Sequence, residues 1–151
     1  GEVNKIGQPH GQGIEYSGDG SVSFEGEFKN GLRDGQGTSY LTCGFRFEGE
    51  WRDGAPSKGI QYYPERRIDL SSGHFFTTPS WTLECEFKDG KPHGPVIETK
   101  PGGFGRGESG FRFESEWRDG VRGPGIMYDL LEGSVLGNGE YNELLEIHMP
   151  W

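Results

Sequence analysis

The sequence predicts an all-β fold, an elongated single antiparallel sheet of stacked β-hairpins with about five repeated units and insertions between them. Three observations carry this. GFRFEGEWRDG at Gly44–Gly54 recurs as GFRFESEWRDG at Gly110–Gly120, changed only at Gly49 and Ser115. Weaker copies, SFEGEFKNG and TLECEFKDG, close on Gly31 and Gly90. Within every copy the aromatic and charged residues alternate with period two, which is the strand signature and not the helical one.

Self-similarity is read first, because it decides between one core and a row of like modules. The closing glycines Gly31, Gly54, Gly90 and Gly120 lie 23, 36 and 30 residues apart. The shortest interval is therefore the unit, and the longer ones carry insertions. The array is expected over 1–143, with a partial first unit at 1–10 and units at 11–34, 35–57, 58–93, 94–122 and 123–143. Residues 144–151 then form a C-terminal cap or linker.

Taken in chain order, GEVNKIG at Gly1–Gly7 resembles the second strand of a preceding unit, and GQPHG matches GKPHG at Gly90. This start is expected to lie inside a longer array. Each unit opens with a phrase ending in tyrosine: GQGIEY at Gly11, GQGTSY at Gly35, KGIQYY at Lys58 and GPGIMY at Gly123, with GPVIET at Gly94 a weaker version. The linking pairs and triplets GDG, CG and SG tolerate the positive φ of tight hairpins. In the second strand Phe111, Phe113, Ser115 and Trp117 share one face, and Arg112, Glu114, Glu116 and Arg118 the other. Gly26, Gly49, Cys85 and Ser115 occupy one equivalent slot between aromatics. A glycine inside a strand implies a close neighbour, expected here to be a ring from an adjacent strand.

The insertion between Tyr63 and Trp81, PERRIDLSSGHFFTTPS, reads as a projecting hairpin with Arg66, Arg67, Phe75 and Phe76 near its tip or flanks. KPGGFGRGES at Lys100–Ser109 reads as a flexible loop. GNGEYNE at Gly137 is a degenerate last copy. The one stretch with helical character is Tyr141–Met149.

The pattern G-x-G-x-x-Tyr, then aromatic-x-small-x-aromatic, then a glycine turn, resembles the MORN repeat (membrane occupation and recognition nexus). The resemblance covers Gly11 to Tyr141 and weakens from Lys58 onward. It implies stacked hairpins with an aromatic-lined side, used to organise cytoskeletal or membrane-associated complexes, and self-association in some members. It also implies two alternatives, a phospholipid or membrane-tethering module and a regulatory N-terminal segment of a larger enzyme such as a lipid kinase or a lysine methyltransferase.

Composition agrees with a thin sheet. Hydrophobic residues are 30% of the chain, aromatics 13%, and glycines number 28. Apolar surface is thus concentrated in rings, and five two-stranded units would span roughly 50 Å. The net charge of −9 disfavours nucleic acid and anionic lipid, which need a basic stripe. No signal peptide or membrane-spanning run is visible. Two cysteines make no disulfide framework, so a cytoplasmic setting, cytoskeleton- or membrane-associated, is expected.

Candidate chemistry dissolves on inspection. GRGESG at Gly105 matches the dinucleotide fingerprint but lacks the required helix after it. His10 and His93 sit in matching Pro-His-Gly turns, and no metal spacing joins the histidines to Cys43 or Cys85. The glutamate pairs Glu25/Glu27, Glu48/Glu50, Glu84/Glu86 and Glu114/Glu116 recur in every unit, as lattice elements do and a catalytic pair does not. They are expected to form a solvated face with cross-strand salt bridges. The reading is a non-enzymatic scaffold with no cofactor and no metal. It binds a helical or extended segment of another protein along an aromatic groove of Tyr16, Phe24, Phe28, Tyr40, Phe47, Trp51, Phe113, Trp117 and Tyr128.

Overall fold

The computed structural model describes residues 1–102 and 109–139. They form β1 (Gly11–Tyr16), β2 (Val22–Lys29), β3 (Leu32–Tyr40), β4 (Arg46–Arg52), β5 (Ala55–Tyr63), β6 (Arg66–Asp69), β7 (Phe75–Thr78), β8 (Trp81–Lys88), β9 (Lys91–Lys100), β10 (Phe111–Arg118), β11 (Val121–Asp129) and β12 (Val135–Gly139). Ten strands make one open antiparallel sheet in the order β1-β2-β3-β4-β5-β8-β9-β10-β11-β12, while β6 and β7 pair as a separate ribbon. The expected all-β hairpin array is therefore what the chain forms. The helical stretch at 141–149, the segment 144–151 and the centre of the glycine-rich loop lie outside the described residues.

One end of the array is set by backbone conformation. Asn30-Gly31, Asp53-Gly54, Asp89-Gly90 and Asp119-Gly120 each place two successive residues at positive φ, for example 50° and 87° at Asp53 and Gly54. That is the two-residue I′ turn, whose twist matches the flanking strands and whose first position accepts Asn or Asp. The turns also lock to the unit before. The N–H groups of Gly31, Gly54 and Gly120 donate to the carbonyls of Pro9, Arg33 and Pro92 at 2.9, 2.8 and 2.9 Å.

A column of small residues, broken only by Val96, crosses the whole sheet: Gly13, Gly26, Gly37, Gly49, Gly59, Cys85, Val96, Ser115, Gly125 and Gly139, each opposite the next. Gly26, Gly37, Gly49 and Gly59 have no positive φ, so closeness explains them. A Cβ on Gly26 would sit 2.5 Å from the Gly37 Cα and 2.9 Å from the Phe24 ring, and on Gly59 2.8 Å from the Phe47 ring. The occupants of the slot are both a neighbouring backbone and a ring. At Gly26 the ring belongs to the same strand, where a neighbouring strand was expected to supply it.

The rings filling this trough are the core. Phe24, Phe47 and Trp51 form one buried cluster with Phe28 against it. Tyr63, Leu83, Cys85, Val96 and Trp117 form the second, with Phe45 and Trp81 alongside, and Phe87 packs on both. Edge-to-face contacts chain the first cluster together: Phe24–Phe28 at 5.3 Å, Phe24–Trp51 at 5.1 Å and Phe47–Trp51 at 5.5 Å. Each such pair contributes about 0.5–1.5 kcal/mol beyond its buried area.

The insertion forms the ribbon. Its strands close through Leu70 N–H to His74 O at 2.7 Å, and the Arg66 guanidinium lies 4.7 Å from the Phe45 ring at its root. Arg67 sits 3.9 Å over Phe75, which is 56% exposed.

Candidate interaction surface

The structure divides the nine sequence-predicted groove residues into three groups. Phe24, Phe47, Trp51, Phe113 and Trp117 share the trough face and are at most 5% exposed. Phe28 shares that face and is half-buried. Tyr40 and Tyr128 lie on the opposite face, because their register partners are Arg46 and Arg112. The reason is parity. In GQGTSY the trough residue is Gly37, and three residues later the side chain must point the other way. Tyr16 follows a bulge at the end of β1 and is 62% exposed.

Indole hydrogen bonds explain the one letter that separates the twin phrases. Trp51 Nε1 donates to the Gly37 carbonyl at 3.2 Å. Trp117 Nε1 donates to the Ser115 Oγ at 3.0 Å. In the Gly110 copy the slot residue itself supplies the acceptor.

Two arginines roof the trough near its two ends. Arg33 lies 4.5 Å over Phe24 and 5.1 Å over Trp51, and pairs with Glu15 at 2.9 Å. Arg122 lies 5.7 Å over Phe113 and 5.6 Å over Trp117, and pairs with Glu98. Both arginines hold the same register position, opposite Phe28 and Trp117, where the intervening units place Pro56 opposite Trp51 and Pro92 opposite Phe87. The carboxylate position follows suit. Glu15 and Glu98 are replaced by Ser39 and Gln61 where the arginine is replaced by proline.

The second pair is the more buried, with side-chain exposures of 13% for Arg122 and 1% for Glu98. Burial pushes the Glu98 carboxyl above its ordinary range, against the opposing pull of Arg122. Burial also pushes the Cys85 thiol up to about 12, with Glu84 and Glu86 adding to the effect, which leaves it protonated and unreactive. His93 is structural: its Nδ1 accepts the Asp119 N–H at 3.2 Å, capping the next turn.

Between the arginines, Pro56 and Pro92 take the place of the roofing side chain. Phe87 is half-buried there, 5.6 Å edge-on to Phe47. A solvent-open cleft of about 620 Å³ over the adjoining turns is lined by Ala55, Pro56, Pro92 and Trp117 together with the charged Asp89, Lys91 and Asp119. Phe45 and Trp81, also half-buried, flank Tyr63 at the other end of the strands, with Trp81 stacked on Tyr63 at 3.7 Å. Phe87, Phe45 and Trp81 are absent from the predicted groove. Phe87 was recoverable as the last aromatic of TLECEFKDG.

On the opposite face the ion pairs run within strands and not across them as expected. Arg46–Glu48 is 2.8 Å, Arg52–Glu50 is 3.4 Å, and Arg112 pairs with Glu114. Pairs two apart on one strand point the same way, which suffices to bring them together.

The geometry defines a class: a single-layer repeat array whose core is one face of one sheet. The MORN repeat family model matches it at 5–22, 24–41, 47–57, 86–95 and 113–129, and the chain belongs to the MORN-repeat proteins. No curated protein matches the chain. MORN repeats are non-catalytic modules of protein and membrane interaction. Among the described residues no helix is long and apolar enough to cross a membrane, and no group of three metal-ligating side chains forms.

Proposed function

We propose that this chain is a non-enzymatic scaffold that holds a segment of another protein on the aromatic face, in the window between the two arginine roofs. The observation that carries this is the exchange of the Arg–Glu pair for Pro56 and Pro92 in the middle units, which leaves Phe87 half-buried and an open cleft over Pro56, Pro92 and Trp117, rimmed by Asp89, Lys91 and Asp119. Between the roofs the sealed ring of Phe47 builds the floor and the half-buried Phe87 offers the contact edge, with Phe45 and Trp81 beside Tyr63 at the other end of the strands. Aromatic edges in a partly desolvated pocket are the composition of binding hot spots. Arg33 and Arg122 are already held by Glu15 and Glu98, which favours an apolar protein segment over an anionic headgroup.

The test is site-specific photo-crosslinking in cells. Benzoylphenylalanine in place of Phe87 is expected to yield a covalent adduct with a defined partner protein. The same residue in place of Leu131, which is 84% exposed and away from the window, is expected to yield none. Equal labelling from both positions, or none from Phe87, overturns the reading.

A further inference from the structure

The opposite face of the sheet is patterned as regularly as the core and is covered by no other element among the described residues. Its central line reads Ile14, Glu25, Thr38, Glu48, Ile60, Glu84, Ile97, Glu114, Ile126 and Asn138, one residue per strand, each opposite the next. Ile14 and Ile126 are 49% and 40% exposed, and Ile60 and Ile97 are half-buried. Beside it runs a row of Tyr40, Arg46 and Tyr62, continued by Thr82, Thr99, Arg112 and Tyr128. Arg46 stacks on Tyr62 at 4.1 Å and Arg112 on Tyr128 at 5.4 Å, so these side chains are ordered before any partner arrives. Tyrosine and arginine are the residues most used as anchors in protein interfaces.

We propose that this face docks an α-helix of another protein, laid across the strands, with basic residues at every seventh position and aliphatic residues between them. Spacing selects the helix. Strands lie about 4.8 Å apart, so the glutamates of the line recur at about 9.6 Å with an aliphatic or Thr side chain midway. A helix rises about 1.5 Å per residue, so positions seven apart are about 10.5 Å apart and those three or four on fall midway. An extended chain repeats like-facing residues every ~6.7 Å and runs out of step.

Charge selects basic residues and fixes the track. A second row, two residues along the same strands, carries Glu27, Glu50, Glu86 and Glu116, with Lys58 between Glu50 and Glu86. Cations border the two rows on both sides, with Lys29, Arg52, Lys88 and Arg118 toward the turns and Arg46 and Arg112 toward the loops. The two central rows carry eight carboxylates against one lysine, so a basic helix is attracted to the centre and repelled from the margins, and an anionic membrane is repelled there. Glu48, Glu50 and Glu114 are shared between a bound partner and the Arg46, Arg52 and Arg112 beside them. Two copies of this chain packed in register would oppose glutamate to glutamate.

The probe is a synthetic helical peptide of about 21 residues, spanning about 30 Å, with Lys at one core position of each heptad and Leu at the other. Its control has the same composition with Lys and Leu on opposite sides of the helix. By fluorescence anisotropy the full chain is expected to bind the first peptide at least about tenfold more tightly than the control. Glu84→Lys with Glu114→Lys, exposed changes that leave the circular dichroism spectrum intact, is expected to weaken it by at least about tenfold. Phe87→Ala is expected to leave it unchanged, which separates this surface from the window on the aromatic face. Equal binding of the two peptides, or full binding by the Glu84→Lys/Glu114→Lys variant, overturns the proposal. So does sedimentation of the chain with phosphatidylserine vesicles, or a dimer in sedimentation velocity, that the same two substitutions abolish.

Discussion

Replacing Arg122 by Met keeps the length of the side chain over Phe113 and Trp117 and removes the charge. Glu98, with 1% of its side chain exposed, is then a buried carboxylate without its cation, and breaking a buried pair in this way costs about 3–5 kcal/mol. Arg33→Met is the matched control. Its partner Glu15 is 47% exposed and is re-solvated when the arginine goes. The loss there is an exposed ion pair worth at most about 1 kcal/mol and a cation–π contact of about 0.5–1 kcal/mol. Urea unfolding followed by tryptophan fluorescence should therefore place Arg122→Met at least about 1 kcal/mol below Arg33→Met. Arg122→Met combined with Glu98→Leu, an apolar pair in the same space, should recover most of the loss. The pH dependence has a definite sign. Burial raises the folded-state pKa of Glu98 above its ordinary value of 4.5, so its contribution to stability is fully present below that value and is lost as pH rises through the folded pKa. The native chain should gain stability relative to Glu98→Gln on acidification toward 4.5. Equal costs for Arg122→Met and Arg33→Met would refute the buried-pair account, and a gain with rising pH would refute the raised pKa of Glu98.

Other perturbations test other links in the structure. Gly125→Ala places a Cβ 2.7 Å from both the Phe113 ring and the Ser115 Cβ, and should cost about 1–3 kcal/mol as an overpacked core change, read as a lowered midpoint in urea. Gly54→Ala puts a side chain at φ +87° and should cost about 1–2 kcal/mol, read by thermal unfolding. Asp53→Gly in the same turn, at φ 50°, should change the midpoint little. Maleimide labelling at pH 8 followed by mass spectrometry should add one group at exposed Cys43, with Cys85 reacting only once the chain is unfolded. Two fast adducts would contradict the burial of Cys85.

The near-copies GFRFEGEWRDG and GFRFESEWRDG made the fold legible, because period-two alternation between glycine turns leaves a hairpin as the simplest answer. The small slot was legible too, and Gly49 against Ser115 showed that it requires size and not glycine's φ. The tyrosines were misplaced because they were grouped with the other aromatics by residue type. Counting parity from Gly37 to Tyr40 assigns them to the opposite face. The Arg–Glu roofs were hidden for a different reason. Arg33 and Glu15 are 18 residues apart and Arg122 and Glu98 are 24 apart, in phrases that look unrelated until the strands stand side by side. Burial of Phe24 and Phe113 was likewise a property of the stacked rows and of the arginines above them, which a single unit does not contain.

In the sheet every strand pairs with its neighbours in sequence, except where β5 meets β8 across the 64–80 insertion. That seam coincides with two other features. The two core clusters meet there, Phe24, Phe47 and Trp51 belonging to β2–β4 and Leu83, Cys85, Val96 and Trp117 to β8–β10, with Tyr63 of β5 reaching across into the second. Among the four I′ turns, Gly90 alone makes no hydrogen bond to the preceding unit's turn region among the described residues. During synthesis, then, a chain extended only as far as β5 already contains Phe24, Phe28, Phe47 and Trp51 with their turns, and lacks only Phe87 of the rings in that cluster. Joining the second half means closing the inserted segment, at a chain-entropy cost of roughly 2–3 kcal/mol. Phe87, which touches both clusters, and Trp81, stacked on Tyr63, are side chains through which the later half reads the earlier one.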